Sequence, residues 1–217
     1  RDVAPSRGLG DVYKRQGMGR SMYLHAQNCI GYGTIFDVKG FLEIDKNMLD
    51  NFEGYPPIIG DENTYHICKD DVFICSFGDV NLKYKVVSKL REKNAEFFTL
   101  IHNTAIVLPT AIIGKGCFVQ PYVVIGADAV VGDHCQIQNH TDIGHDCVLG
   151  AFNRIDCKVM CVGGVKVGNF VTVHSSAVIN HKVVLGDHSV VGASSFVISK
   201  VKEGTTVFGS PAKKLSL

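Results

Sequence analysis

The sequence lacks the features that mark several large classes of protein. No apolar run approaches the roughly 18 residues of a membrane-spanning helix. The net charge is only +1, so there is no electrostatic case for binding nucleic acid or an anionic membrane. The 8 cysteines form no CxxC pair and no metal-type cluster. What remains is a chain of 217 residues, 46% of them hydrophobic, with enough apolar material for the core of one large domain or two small ones.

The second half of the chain is built from a six-residue repeat, and we call each unit of it a hexad. From Ile101 onward the hexads follow one another without an insertion. Of the 17 residues that lead a hexad, 16 are Ile, Leu or Val. These leading residues are Ile101, Val107, Ile113, Val119, Ile125, Val131, Ile137, Ile143, Leu149, Ile155, Cys161, Val167, Val173, Ile179, Leu185, Val191 and Val197.

Two further positions of the hexad are also restricted. The second residue is Gly at positions 114, 126, 132, 144, 150, 168, 186 and 192, and the fifth residue is usually small. A branched and a small residue in every six predict a triangular coil of three short strands per turn of about 18 residues, with both side chains inside and glycine at the tight corners. Coils of this kind stack about 4.8 Å apart through parallel hydrogen bonds. The repeat is long enough for about five to six coils.

The fifth position of the hexad also accounts for three of the cysteines. Cys117, Cys135 and Cys147 fall in this series of small residues. The other members are Ala105, Ala111, Ala129, Thr141, Ala177, Ser189 and Ser195. We interpret these cysteines as reduced, buried, structural residues of a cytoplasmic protein.

Residues 1–16 and 17–100 differ from the repeat and from each other. The first stretch, RDVAPSRGLGDVYKRQ, has neither helical nor strand periodicity and no apolar signal-peptide core, so we interpret it as a non-native or disordered leader. In the second stretch, a glycine turn and a helix over about 20–30 precede an extended segment, a buried strand (71–79) and an amphipathic helix (80–94). This alternation predicts a small parallel α/β domain of Rossmann-like type.

The glycine turn at Gly17, Met18 and Gly19 is one candidate for a nucleotide site. Such a turn between a strand and a helix, with an acidic residue after the next strand, binds nucleotides in many α/β domains. A plain turn is the alternative, because two glycines alone are a weak signal. An apolar strand should also precede the turn, but the residues there are DVYKRQ. We therefore expect that the first strand is missing and that this half binds its ligand poorly.

Several motifs together resemble one family. They are GFLEID, FGDVN, LIHNTAIV, PYVVIG, IGHDCVLG, GGVKVG and the closing VFGSPAKKL, spread over about residues 17–215. The chain resembles the hexapeptide-repeat sugar acyltransferases, which include sialic acid O-acetyltransferases and the N-acetyltransferases of UDP-linked 4-amino sugars. The resemblance implies a left-handed parallel β-helix over 101–217, a homotrimer and an acetyl-CoA-dependent transfer to the amine or hydroxyl of a sugar in bacterial surface glycan biosynthesis. It implies no metal.

The resemblance also implies a catalytic group. His145 matches the catalytic base, and its neighbour Asp146 would hold the imidazole in one tautomer and raise its basicity. The backbone N–H of Gly163 matches the donor to the developing oxyanion. Gly163 follows His145 by one coil, so the repeat predicts that the two lie about 4.8 Å apart along the axis. Direct transfer is expected, since Cys147 points inward and Cys157 belongs to another corner of the coil.

Further positions match the ligand contacts of the family. The acetyl-CoA contacts correspond to Arg154, Gly163, Ser175 and Ala193, and Arg154 departs from the histidine of some relatives. The contacts to the amino-sugar nucleotide correspond to Gly17, Met18, Gly19, Glu43 and Gly78.

Two other functions compete with this interpretation. The same type of coil carries zinc in γ-class carbonic anhydrases, whose three histidines need spacings of 36 and 5 residues; His140 with His145, or His140 with His181, supplies two of the three. A β-helix can also be a non-catalytic scaffold.

Overall fold

The computed structural model describes residues 2–6 and 16–215. The chain divides into two compact units, Arg1–Leu100 and Ile101–Leu217. Within the described ranges, none of the helices is both long enough and apolar enough to cross a membrane.

The first unit is a parallel sheet with two helices. Its elements are β1 (Asp2–Ser6), α1 (Gln16–Ala26), β2 (Asp37–Val38), β3 (Phe41–Leu42), β4 (Ile58–Gly60), β5 (Asp71–Cys75), α2 (Val80–Glu92) and β6 (Glu96–Phe97). The strand order is β4-β3-β1-β5-β6, with β2 beside β1, and every pairing between them is parallel. The predicted alternation of strands and helices therefore forms a parallel α/β unit.

Strand β1 lies within residues 1–16, which were expected to form a leader without regular structure. Residues 2–6 pair along their whole length with β5 and also contact β2 and β3, so the strand before α1 is present. The expectation of a leader without regular structure is wrong for these residues, because pairing on both sides overrides a composition that contains Pro5. Residue 1 and residues 7–15 of the expected leader lie outside the described residues.

The other elements of this unit follow from their sequences. All five residues of β5 are buried, as a strand in the middle of a parallel sheet requires. Asp79 caps α2 by accepting a hydrogen bond from the Leu82 N–H at 2.9 Å, and the buried residues of this helix lie on one face. Helix α1 begins at residue 16, four residues earlier than predicted, so Gly17 and Gly19 lie in its first turn.

The second unit is a parallel β-helix, as the hexads predict. Seventeen strands of two residues each end at the seventeen leading residues. They are β7 (Leu100–Ile101), β8 (Ile106–Val107), β9 (Ile112–Ile113), β10 (Phe118–Val119), β11 (Val124–Ile125), β12 (Val130–Val131), β13 (Gln136–Ile137), β14 (Asp142–Ile143), β15 (Val148–Leu149), β16 (Arg154–Ile155), β17 (Met160–Cys161), β18 (Lys166–Val167), β19 (Thr172–Val173), β20 (Val178–Ile179), β21 (Val184–Leu185), β22 (Val190–Val191) and β23 (Phe196–Val197).

Every third strand of this series belongs to the same sheet, so the coil has three faces. Strands 18 residues apart pair in parallel, for example Gln136 with Arg154 in β13 and β16. The strands β24 (Thr206–Gly209) and β25 (Ala212–Lys214) form an antiparallel hairpin that extends the face of β22. Each residue therefore has an equivalent one coil later, and we call such a series a column.

The interior of the β-helix contains the two predicted series of side chains. From Val119 to Val197 all leading residues are buried, while the three before them, in the first coil, are partly buried. Cys117, Cys135 and Cys147 are also buried and reduced, as predicted for the fifth position. Branched and small residues thus fill the same narrow core, which fixes the register of every coil.

Glycine relieves the corners by allowing a close approach and not through its dihedral angles. A Cβ on Gly126 would lie 2.7 Å from the backbone nitrogen of His145 in the next coil. A Cβ on Gly144 would lie 2.7 Å from the backbone oxygen of Cys161. The left-handed conformation falls instead on the fourth residue of the hexad, where twelve non-glycine residues from Tyr122 to Ser194 have φ of 55° to 62°.

Candidate active site

His145 and Asp146 form an exposed pair on a corner of the β-helix, directly after β14. The His145 Nδ1 lies 2.6 Å from the Asp146 Oδ2, and the two side chains are 64% and 65% exposed. A carboxylate only accepts hydrogen bonds, so Nδ1 carries the proton and Nε2 presents its lone pair. Asp146 has the left-handed φ of 57°, a conformation that aspartate adopts more readily than most residues, and its N–H donates to the Ala127 oxygen at 3.0 Å.

Gly163 lies beside this pair, one coil later in the same column. The Gly164 N–H donates to the His145 oxygen at 2.8 Å, which joins the two corners. A Cβ on Gly163 would overlap the His145 ring, with Nε2 as the nearest atom and Cε1 at 2.6 Å. Only a residue without a side chain therefore leaves the imidazole where it is.

The N–H of Gly163 has no hydrogen-bond partner within the part of the chain that the structure describes. In another column the equivalent N–H groups are capped from the next coil: Asp133 accepts from Lys115 at 2.9 Å, and Asn169 accepts from Ala151 at 2.8 Å. The residue one coil after Gly163 is His181, which is exposed and makes no such bond. The corner at His145 thus combines an imidazole lone pair with a backbone donor, on the buried Gly163, that makes no hydrogen bond within the described residues.

This arrangement can perform one kind of chemistry well. An oriented imidazole removes a proton from an attacking amine or hydroxyl, and a nearby N–H stabilises negative charge on a carbonyl oxygen. Both are needed in an acyl transfer. The sequence predicted this juxtaposition from the 18-residue spacing, and the structure brings His145, Asp146 and Gly163 together.

The cysteines near this corner are poor nucleophiles. Burial raises the pKa of the Cys147 thiol, whose Sγ points inward toward the Val162 oxygen at 3.5 Å. Burial and then the charge of Asp156 raise the pKa of Cys157. Both side chains are therefore thiols at neutral pH, and the thiolate is the reactive form.

We expect the variants Cys147→Ser and Cys157→Ser to keep turnover within about twofold of the wild type. Serine fits position 147, because Ser189 and Ser195 occupy equivalent inward sites. Steady-state rates of both variants, beside a mass spectrum of the protein after exposure to the acyl donor, check this. A loss above about 10²-fold with either serine, or a stable acyl adduct on its cysteine, would contradict direct transfer.

Three of the four residues predicted to contact the donor, Arg154, Ser175 and Ala193, lie along one corner and its adjoining face, whereas Gly163 lies in the column of His145. Ser175 and Ala193 are the third residues of their hexads and are exposed, one coil apart in the same column. Arg154 faces outward from β16, and its guanidinium lies on Asp156, with Nε at 2.6 Å from Oδ1 and Nη2 at 3.1 Å from Oδ2. A contact between Arg154 and the donor stays a prediction.

Asp156 organises a group of polar side chains that the sequence analysis missed. We call Gln138, Arg154, Asp156 and His174 the Asp156 cluster. Gln138 Nε2 donates to Oδ1 at 2.8 Å, and His174 Nδ1 lies 3.0 Å from Oδ2. Gln138, Asp156 and His174 are second residues of hexads spaced by 18, a signal that could have found them.

Two of the repeat histidines also differ from the solvated side chains usual at corners. His134 is fully buried and stacks on Phe152 at 4.8 Å, and His102 is buried near Thr104. A stack continues through Phe170 to His188 along the same column. Corner position alone therefore does not decide whether a histidine is exposed.

The residues predicted to bind the acceptor lie in the first unit. Glu43 directly follows β3 and Gly78 lies between β5 and α2, so both are at the carboxyl edge of the parallel sheet. Glu43 is buried, and its Oε1 accepts from the Ile44 N–H at 2.9 Å. Gly17, Met18 and Gly19 are helical and not a turn, which corrects the prediction, because α1 starts at residue 16.

A metal site would need a cluster of His, Cys, Asp or Glu side chains. None of the described residues form a cluster of three or more that could hold a metal ion. His140 stacks on Tyr122 at 4.9 Å, whereas His145 pairs with Asp146 on a different column. The two histidines that a zinc site would share are thus engaged separately in this chain.

Comparison with known proteins establishes the fold. No protein-family model matches the sequence. The acetyltransferase domain of PglB from Neisseria gonorrhoeae FA1090 has a TM-score of 0.86 at 23% identity, covering 99% of this chain and 100% of that one. PerB from Caulobacter crescentus, in complex with CoA and GDP-perosamine, has 0.81 at 24% identity, covering 100% and 98%. WeeI from Acinetobacter baumannii AYE has 0.77 at 18% identity, covering 98% and 99%. At these identities the likeness shows a shared fold, and the activity has to be argued from the site.

Proposed function

We propose that this protein is an acetyl-CoA-dependent acetyltransferase that acts on the amine, or less often the hydroxyl, of a nucleotide-linked sugar. The observation that carries the proposal is the His145–Asp146 pair beside the N–H of Gly163, which makes no hydrogen bond within the described residues. The resemblance of the sequence to sugar acyltransferases supports it. So does the shared fold with PerB, whose structure contains CoA and GDP-perosamine.

The transfer proceeds in one complex of donor and acceptor. The sugar amine attacks the thioester carbonyl while His145 Nε2 removes its proton, and Asp146 stabilises the imidazolium that forms. The Gly163 N–H donates to the oxyanion of the tetrahedral intermediate. Collapse of the intermediate breaks the carbon–sulfur bond, and the proton on Nε2 passes to the departing CoA sulfur. The products are the N-acetylated sugar and CoA, and no metal takes part.

The acceptor class follows from the first unit. We assign its parallel sheet a Rossmann-like role, in which a nucleotide binds at the carboxyl ends of the strands. Glu43 and Gly78 lie at that edge, and α1 begins after it, so its first turn with Gly17, Met18 and Gly19 can face a phosphate. A UDP-linked 4-amino sugar of bacterial surface glycan biosynthesis is the acceptor that the sequence resemblance favours.

Assembly and location complete the proposal. Outward positions of two β-helix faces carry exposed apolar side chains, including Ile106, Ile112 and Met160, which is typical of surfaces that a second subunit covers. We therefore propose a homotrimer of left-handed β-helices, in which acetyl-CoA lies between subunits along Arg154, Ser175 and Ala193. All eight cysteines are reduced, which favours a reducing, cytoplasmic compartment.

A calorimetric titration with acetyl-CoA tests the proposal first, because it needs no knowledge of the acceptor. We expect saturable binding of about one acetyl-CoA per subunit, followed by CoA release when UDP- and GDP-linked amino sugars are screened. A zinc analysis of the same sample is the control. Absence of binding would favour a scaffold, and stoichiometric zinc with hydration of carbon dioxide would favour the carbonic anhydrase alternative.

A further inference from the structure

The Asp156 cluster surrounds a buried carboxylate, and apart from Arg154 the proposed function does not use its members. The Asp156 side chain is only 6% exposed, yet it receives Arg154, Gln138 and His174 on its two oxygens. Burying a carboxylate is costly unless it is paired and hydrogen-bonded, and here each of its bonds also fixes the partner. The cluster therefore holds three side chains from three successive coils in one arrangement.

Within the cluster, Arg154 and His174 play different parts. Arg154 meets Asp156 through two nitrogens, which commits much of its guanidinium to a single carboxylate. His174 uses only Nδ1, and its side chain is 40% exposed. Since the carboxylate must accept, Nδ1 carries the proton and Nε2 is a hydrogen-bond acceptor facing outward from the pair.

The surface around His174 is open and partly apolar. The exposed Ser175 follows it, and Ala193 occupies the equivalent corner one coil later. The residue one coil after His174 is Gly192, and a Cβ there would lie 3.2 Å from the Phe208 Cγ. Phe208 is 56% exposed. The acceptor nitrogen of His174, the small side chain of Ala193 and the aromatic side chain of Phe208 therefore lie on successive coils.

We propose that His174 contacts the acyl donor, its Nε2 accepting a hydrogen bond from an amide N–H of the pantetheine arm. Asp156 is the positioning residue that holds the imidazole for this contact, and Arg154 in turn holds the Asp156 carboxylate. The pantetheine arm is a long chain that combines amide groups with apolar carbons, which matches the chemistry of this surface. The inference rests on the proposed function, since it names the part of acetyl-CoA that Ser175 and Ala193 flank.

The test compares two ligands on the intact protein. Acetyl-CoA contains the pantetheine arm, whereas 3′,5′-ADP contains only the nucleotide end. Loss of one hydrogen bond is expected to weaken acetyl-CoA binding to His174→Ala about fivefold and to leave the affinity for 3′,5′-ADP unchanged. His174→Gln, which keeps an acceptor oxygen, should recover part of the loss. His188→Ala, a histidine on another column, is the matched control.

A kinetic readout separates a donor contact from a second base. We expect KM for acetyl-CoA to rise in His174→Ala while kcat stays within about threefold. A fall in kcat of about 10²-fold with KM unchanged would make His174 a proton-transfer group and overturn the inference. Equal weakening of acetyl-CoA and 3′,5′-ADP would overturn it as well, because it would indicate a general distortion of the corner.

The positioning role is tested by a double-mutant cycle. Asp156→Asn should weaken acetyl-CoA binding by itself, and should add little in the His174→Ala background, because the histidine through which it acts is then absent. Full additivity would overturn the positioning role. Thermal unfolding of each variant verifies that the β-helix is intact. If the wild type binds neither ligand, the proposed function fails; if it binds both and His174→Ala binds acetyl-CoA normally, only the inference fails.

Discussion

The variant His145→Ala is expected to lower turnover by about 10²-fold or more, because it removes the group that takes the proton from the attacking amine. The side chain is largely exposed, and its hydrogen bond is to the equally exposed Asp146, so the fold should tolerate its loss. The measurement is the rate of CoA release with acetyl-CoA and the amino-sugar nucleotide found in the acceptor screen. Binding of acetyl-CoA, measured by calorimetry, should persist.

The matched control for this prediction is His140→Ala. This histidine lies five residues earlier, is exposed and stacks on Tyr122, and it is one of the two that a zinc site would share with His145. We expect its removal to change the rate by less than about threefold. A near-normal rate in His145→Ala would remove the base from the mechanism. Equal large losses in both variants would instead support a site that needs both histidines.

Asp146 refines the same prediction. The variant Asp146→Asn keeps the size of the side chain but replaces the accepting oxygens with an amide that can also donate, so the imidazole loses its preference for one tautomer. Both side chains are exposed, and solvent weakens their interaction. We therefore expect a smaller loss of kcat than in His145→Ala, with KM for acetyl-CoA unchanged.

The repeat was readable from the sequence because its period is strict. Each leading residue of a hexad ends a strand, and each fifth residue points into the same narrow core. The strands and inward residues of one coil therefore predict those of the next. The adjacency of His145 and Gly163 followed from that period without any knowledge of side-chain positions. In a β-helix, residues that are 18 positions apart in the sequence are therefore neighbours in adjacent coils.

The parts that the sequence did not reveal depend on distant pairing or on a second periodicity. Strand β1 contains a proline and no alternation, and it is a strand because β3 and β5 lie on either side of it. The Asp156 cluster was missed for another reason. Three of its four members are polar residues at the second position of the hexad, where glycine is the most frequent residue, so the six-residue pattern alone does not distinguish them.

The variant Gly163→Ala has the second large expected effect. Its new Cβ would occupy the place of the His145 ring, with Nε2 the nearest atom, so the imidazole must move. A misplacement of about 1 Å can cost on the order of 10²-fold in rate, and we expect a loss of kcat of at least that size. The fold should persist, because alanine already stands at the equivalent third position in Ala127, Ala151 and Ala193.

A double-mutant cycle shows whether the methyl group acts through the histidine. In the His145→Ala background there is no ring to displace, so adding Gly163→Ala should cost less than about threefold more. The control Ala127→Gly changes one methyl group in the same column, one coil before His145, and should leave the rate within about twofold. If Gly163→Ala alone is nearly as active as the wild type, the imidazole does not work from the position seen here. If its loss is fully additive with that of His145→Ala, the methyl group blocks the oxyanion donor or the substrate itself, and Gly163 contributes through its N–H rather than through the space it leaves for the base.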